Sequence, residues 1–313
     1  QVPYHVYGGQ QDNSAIGIKS RTNKQGIDWK DWYSVSGCES AFLAFDPKNP
    51  EHIYGGCYQG IIERWQRKTV TSKEIKEYPE LALGNAPIDF KYRFNWNAPI
   101  ISAPSDSKTI YHAGNVVFKT QNGGIDWEVI SPDLTRNNKA QQVAGGVPFT
   151  NEAAGGENYN TLMSLSASPF DPSVLWAGSD DGLVHLTQDG GKNWKNVTPK
   201  NIGEGIINSI EVSPHNPAKA YIAVMRYKLM DLKPYIFKTE DFGESWTDVG
   251  GFKGSGYHVI PDAVELRLTD SLYTVWTEEE HEDYYHYGDS LIQDADTLAD
   301  GTIIPEFNYL MTP

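Results

Sequence analysis

The sequence predicts an all-β protein, a β-propeller with four-stranded antiparallel blades. Three observations predict it. A turn of the form Thr-x-[Asp/Asn]-x-Gly-x-x-Trp recurs at 120–127, 187–194 and 239–246. A second repeat, a proline turn followed by an aromatic residue, runs in phase upstream of these turns. Alternating apolar residues, the period of a half-buried strand, flank both repeats. Units of ~45–65 residues containing four short strands are the mark of propeller blades.

Each unit opens on an alternating run: Ala41-Phe-Leu-Ala-Phe, Ala98-Pro-Ile-Ile-Ser, Leu162-Met-Ser-Leu-Ser and Ile206-Ile-Asn-Ser-Ile-Glu-Val. Asn49-Pro50, Asp171-Pro172 and Asn216-Pro217 then turn the chain, with Asp106-Ser107 as a copy lacking the proline. The aromatics Tyr54, Tyr111, Trp176 and Tyr221 follow at spacings of 57, 65 and 45 residues. Val116-Val-Phe-Lys, Leu183-Val-His-Leu and Tyr235-Ile-Phe-Lys lead into the boxed turns. Those turns are Thr120, Asn122, Gly124 and Trp127; Thr187, Asp189, Gly191 and Trp194; and Thr239, Asp241, Gly243 and Trp246. The acid or amide is expected to bond its own turn backbone. The glycine supplies a positive φ, and the tryptophan is expected to pack back over its own hairpin. A fourth copy, ending at Trp29, has Lys24 where the acid should be.

Blades are thus expected at about 36–94, 95–160, 161–207 and 208–251, after a part-blade at 1–35. Tyr4-His-Val-Tyr-Gly-Gly-Gln-Gln-Asp-Asn13 resembles the middle of a blade, so the chain is expected to be an incomplete view of a larger propeller.

The composition narrows the function. Forty-one acids against 26 Lys and Arg give a net charge of −15, which repels phosphate backbones and argues against nucleic-acid binding. No apolar run reaches the ~18–20 residues of a spanning helix, and no basic-then-apolar leader opens the chain. Cys38 and Cys57 are the only cysteines. A hairpin folded about residues 48–49 would set Cys38 near Gln59 and Cys57 near Ser40, close enough for a disulfide with a small bulge. Two buried free thiols are the alternative.

The boxed turn is the Asp-box, or BNR repeat. The chain resembles secreted bacterial BNR-repeat proteins of the sortilin-like and xyloglucanase-like class. Tyr7-Gly-Gly-Gln-Gln-Asp-Asn13, Tyr92-Arg-Phe-Asn-Trp-Asn-Ala-Pro99 and Val129-Ile-Ser-Pro-Asp-Leu-Thr-Arg-Asn137 carry that resemblance, which extends over roughly residues 3–250. The motif specifies fold rather than chemistry. The Arg-Ile-Pro element of sialidases is absent, and the two aspartates of xyloglucanases have no counterpart assignable residue by residue. With the acidic charge and the Tyr and Trp content, the resemblance predicts export to the periplasm, the cell surface or the medium.

A site is expected at the mouth of the propeller, where the loops leading into the innermost strands lie. Glu39, Glu157 and Glu204 are the candidate catalytic carboxylates, and Asp12, Arg93, Asn95, Trp96, Tyr159 and Arg226 the candidate ligand-binding residues. Carboxylates with aromatic platforms suit a sugar or a peptide, and a carboxylate pair ~5–10 Å apart can cleave a glycosidic bond. Alternatively, these side chains cap strand ends and neutralise one another. Two functions follow: a non-catalytic scaffold for a protein or polysaccharide partner at the cell surface, or a glycoside hydrolase.

After residue 251 the repeats stop. The stretch 276–300 holds nine acids and no Lys or Arg. Asp289, Asp294, Asp296 and Asp300 are candidate calcium ligands; a solvated acidic connecting segment facing a partner is the other reading, and no cofactor is then required. The region 252–313 is expected to be no blade of its own.

Overall fold

The computed structural model describes residues 4–39, 42–45, 51–80, 84–104, 106, 108–143 and 158–250, together with the backbone of six short strands beyond residue 264. Five antiparallel sheets follow one another between His5 and Asp248. The first has three strands, β1 (His5–Gly9), β2 (Ala15–Lys19) and β3 (Trp32–Ser34). Four four-stranded sheets follow. They are β4 (Leu43–Phe45), β5 (His52–Cys57), β6 (Ile61–Gln66) and β7 (Thr71–Glu74); β8 (Ile100–Ser102), β9 (Ile110–Ala113), β10 (Val117–Thr120) and β11 (Glu128–Val129); β12 (Leu162–Ala167), β13 (Leu175–Ser179), β14 (Val184–Thr187) and β15 (Lys195–Asn196); and β16 (Ile206–Val212), β17 (Ala220–Arg226), β18 (Asp231–Thr239) and β19 (Thr247–Asp248). In every sheet the strand order is the chain order. The fold is an all-β propeller, and helix among the described residues is limited to single 3₁₀ turns. No helix there is long and apolar enough to cross a membrane.

The core lies between successive sheets. Tyr54 of β5 packs with Ile100 and Ile110 of the next sheet, Tyr111 of β9 with Leu162 and Leu175, and Trp176 of β13 with Ile207 and Ile222. Burying one such aliphatic side chain is worth roughly 1.5–3 kcal/mol. Strands covered on both faces are buried throughout, as β9 and β13 are. β17 alternates instead: Ala220, Ile222 and Val224 are buried, whereas Tyr221, Ala223 and Met225 are more open.

The boxed turns close on themselves in one way. The threonine hydroxyl donates to Asn122, Asp189 or Asp241 at 3.0, 2.8 and 2.8 Å. It also accepts the N–H of Gly124, Gly191 or Gly243 at 3.0, 3.0 and 2.8 Å. Bonds from the Asn193 side chain and N–H, and from Ser245 in the same way, hold Asp189 and Asp241 down to a pKa of about 2.

The tryptophans reach beyond their own hairpins, although Trp127 also packs against Val116 and Phe118 of its own. Each reaches the preceding sheet, where its indole N–H donates to a main-chain carbonyl just past the outermost strand: Trp127 to Ile75 at 2.8 Å, Trp194 to Ile130 at 2.8 Å and Trp246 to Val197 at 2.7 Å. The glycine of each turn abuts the same three residues, and a Cβ on Gly124, Gly191 or Gly243 would lie within 2.4–2.7 Å of them. The boxed turn is therefore a clasp between blades. The fourth copy differs. The Thr22 hydroxyl donates to the Gly26 carbonyl at 2.7 Å, Lys24 bonds Asp28 and Asp31, and Gly26 lacks the left-handed φ of its counterparts. An ammonium at position 24 cannot accept the backbone N–H groups that an acid gathers.

Cys38 and Cys57 form a disulfide with Cα atoms 5.0 Å apart. The hairpin folds about residue 49, half a residue beyond the expected centre, because Leu43 pairs with Gly55 and Phe45 with Ile53. Continued to Cys38 that register would set it opposite Gly60; instead Cys38 lies outside the ladder and its N–H bonds the Gly56 carbonyl at 3.0 Å.

The chain divides into two compact units, the second made of Leu232–Pro234 and Gly250–Pro313. In the second, β20 (Glu265–Leu268) pairs with β21 (Ser271–Thr274). There too β22 (Ser290–Gln293) pairs with β25 (Phe307–Leu310), enclosing the pair β23 (Asp296–Thr297) and β24 (Ile303–Ile304). The acidic stretch thus supplies one strand to each of two pairs, β22 and β23. Asp289, Asp294 and Asp300 lie outside the described residues, and Asp296 sits opposite Ile304.

Candidate functional site

Antiparallel order fixes which loops meet. The proline and boxed turns share one end of each sheet. The turns joining second to third strands, and the connections between sheets, share the other end, the mouth. Three of those connections supply a continuous polar network.

Arg93 is its buried centre, only 3% exposed. Its Nη2 donates to Asp133 at 2.6 Å, its Nε to the Asn160 carbonyl at 3.2 Å, and its backbone N–H to Asn115 at 3.0 Å. Asp133 also accepts from Asn115 and from the Thr135 hydroxyl. Burial would raise its pKa, but the Thr135 bond, the Arg93 charge and the Asn115 bond outweigh that and hold it below the ordinary carboxylate range.

Asp180 and Asp181 occupy the turn between β13 and β14, both buried. Asp180 accepts the Thr161 N–H at 3.0 Å and its hydroxyl at 2.6 Å. Asp181 accepts from Ser179 at 2.5 Å, from Asn160 at 2.8 Å and from the Arg136 N–H at 2.8 Å. Burial, then the neighbouring Asp181 charge, pushes Asp180 up to about 8. Burial raises Asp181 too, against its three donors.

Of the residues singled out in the sequence, Tyr159, Glu204 and Arg226 come together. The Tyr159 hydroxyl donates to Glu204 at 3.0 Å, Gln141 donates to the same oxygen at 2.9 Å, and Arg226 donates to the Glu204 carbonyl at 3.0 Å. Arg226 also pairs with Asp231 at 2.8 Å. Burial and the charges of Asp180 and Glu204 raise the Tyr159 pKa. Asn95 donates to Thr161 at 3.1 Å, which ties it to Asp180. Trp96 stacks on Tyr58 with ring centroids 5.2 Å apart. Glu39 belongs to a different contact, accepting the Asp12 N–H at 2.8 Å. Glu157 lies outside the described residues.

The sequence reading missed Asp133, Asp180, Asp181 and Asn160. Asp180-Asp181-Gly182 occupies the same kind of turn as Gln10–Asn13, so its position in the repeat was the available signal. His112, one of the lone histidines expected to pack or to face water, is buried against Glu77 at 2.5 Å and stacked on the ring of Phe94; the Glu77 contact was not read from the sequence. Among the described residues no group of three or more His, Cys, Asp or Glu side chains is arranged to hold a metal.

The fold and this mouth define the chain as a β-propeller protein with a hydrogen-bonded polar rim. No family model matches it. A stretch of 95 residues is 31% identical to the oligoxyloglucan reducing-end-specific xyloglucanase of Emericella nidulans, covering 29% of this chain and 11% of that enzyme. Among solved structures, the GH74 enzyme of Niastella koreensis is 14% identical over 78% of this chain and 43% of its own, with a TM-score of 0.37. The Dos1 propeller is 11% identical over 68% and 49%, with a TM-score of 0.44. YCF48 from Cyanidioschyzon merolae is 13% identical over 66% and 54%, with a TM-score of 0.38. The chain spans about a tenth of that curated relative and about half of these structures.

Proposed function

We propose that this chain is a non-catalytic propeller scaffold, exported from the cytosol, that holds a protein or glycan partner by its mouth. One observation carries the reading: the mouth side chains are spent on one another. Arg93 is consumed by Asp133 and Asn160, Asp180 by Thr161, and Glu204 by Tyr159 and Gln141. Such a network makes a rigid rim, whereas a general base needs lone pairs free to meet a substrate. The Cys38–Cys57 disulfide suits an oxidising compartment. The partner would meet the Tyr58–Trp96 stack and the half-buried Asn95 on the rim. A native pull-down combined with a polysaccharide-binding panel tests this. Loss of the captured partner on Trp96→Ala, with melting unchanged, is the expected result.

Glycoside hydrolysis is the second reading. The identity to a xyloglucanase over 95 residues favours it. So does Asp180, whose pKa near 8 leaves a carboxylic acid protonated at neutral pH, as a general acid must be. Release of new reducing ends from xyloglucan, abolished by Asp180→Asn or Glu204→Gln, would establish this reading and displace the first.

A further inference from the structure

The three boxed turns share one plan, which the first carries out with its partners exchanged. In the second and third, an acid at the third position accepts from a donor at the seventh: Asn193 Nδ2 bonds Asp189 at 2.6 Å, and the Ser245 hydroxyl bonds Asp241 at 2.5 Å. In the first, the amide stands third and the acid seventh, and Asn122 Nδ2 donates to Asp126 at 2.9 Å. The Asn122 Oδ1 meanwhile accepts the Thr120 hydroxyl at 3.0 Å and the N–H groups of Ile125 and Asp126 at 3.1 and 3.0 Å.

Asn122 is exposed and precedes Gly123, and Asn-Gly occurs nowhere else in the chain. Because glycine has no side chain, its main-chain nitrogen reaches the asparagine Cγ with least hindrance. Once that nitrogen has given its proton to hydroxide, it attacks Cγ. The N–Cγ bond forms, the Cγ–Nδ2 bond breaks, and the amine takes a proton from water and leaves as ammonia. Water then opens the cyclic imide at either carbonyl, to aspartate or to isoaspartate. Ring closure carries Oδ1 and Nδ2 away from the four partners that hold them in the closed turn, so the turn must open first.

We propose that Asn122 is a deamidation site gated by its clasp: the closed turn protects it, the open turn lets it react, and the product cannot close in the same way. Aspartate at this position loses the donor to Asp126 and sets a second carboxylate against it. Isoaspartate adds a methylene to the main chain between Thr120 and Gly124, whose bond at 3.0 Å closes the turn. The damage falls on the junction between the sheets β4–β7 and β8–β11. There Trp127 bonds the Ile75 carbonyl, Gly124 lies against the Ile75 side chain, and Arg64 of β6 donates to the Gly123 carbonyl at 2.9 Å. The second and third turns already hold an acid at the third position, so no amide is there to lose.

Peptide mapping of the full chain held at mildly alkaline pH, with isoaspartate read by enzymatic methyl transfer, is the test. In urea Asn122 should deamidate faster than every other asparagine. In the folded protein it should react at least about tenfold more slowly, and Trp127→Phe, which loosens the clasp, should speed it at temperatures below melting. Asn122→Asp should lower the melting temperature. Adding Asp126→Asn, which reproduces the Asp189–Asn193 arrangement, should restore it. The proposal is overturned by equal rates in the folded and the urea-unfolded chain, or by a folded-state rate that Trp127→Phe leaves unchanged. It is equally overturned if Asn122→Asp melts with the parent or is not restored by Asp126→Asn.

Discussion

Arg93 and Asp133 bond at 2.6 Å across a separation of 40 residues and so tie two inter-sheet connections together at the mouth. The guanidinium is nearly sealed from water, so its removal strands the network that faces it. Breaking a buried pair typically costs ~3–5 kcal/mol, and the lower end applies here because Asp133 keeps about a quarter of its surface in solvent. Arg93→Met should therefore lower the urea midpoint markedly. Arg93→Met combined with Asp133→Leu should lower it less than the sum of the single changes, since neither charge is then left alone.

The clasp at Ile130 separates two kinds of cost. Trp194→Phe removes only the indole donor to the Ile130 carbonyl, worth ~0.5–1.5 kcal/mol. Gly191→Ala places a methyl 2.6 Å from that same oxygen, on a backbone at φ 97°, and should cost more. Gly190 has a positive φ but open space around it, so Gly190→Asn is the mild control. Denaturant titration of the three variants should rank them Gly191→Ala, then Trp194→Phe, then Gly190→Asn.

Asp180 predicts a pH dependence of definite sign. Its folded pKa lies above the unfolded value, so its contribution is complete below the ordinary carboxylate pKa and is lost as pH rises toward about 8. Asp180→Asn should leave the melting temperature near that of the parent below the ordinary carboxylate pKa and raise it progressively above the parent as pH climbs toward about 8. Asp133 works oppositely: its depressed pKa gives a contribution present at neutral pH and lost in acid. Melting curves across the pH range distinguish the two, because in Asp180→Asn the difference from the parent should grow from the ordinary carboxylate pKa up to about pH 8 and stay constant above it.

The Cys38–Cys57 bond closes a loop of 19 residues around the β4–β5 hairpin. Loop-closure entropy for that length corresponds to ~3 kcal/mol. Cys38→Ser with Cys57→Ser should lower the melting temperature by the amount seen when the parent is reduced, and added reductant should leave the double variant unchanged.

What the sequence determined by itself is everything set within a few residues. Strands follow from two-residue alternation, as at 209–212, where buried Ile210 and Val212 alternate with exposed Ser209 and Glu211. The boxed turns follow from a threonine, an acid or amide and a glycine that bond one another over five positions, as Thr187, Asp189 and Gly191 do. The proximity of Cys38 and Cys57 follows from one short hairpin. Tertiary structure decided the rest, because stacking one sheet on the next selects partners by position in space. Trp127 finds Ile75 52 residues upstream, and Arg93 finds Asp133 and Asn160 on two different connections. Asp180 and Asp181 acquire their raised pKa values only when the fold buries them, against the bonds that Thr161, Asn160 and Arg136 donate. Alternation and turn chemistry carry no record of such distant pairings, since each depends on how far one blade is rotated against its neighbour.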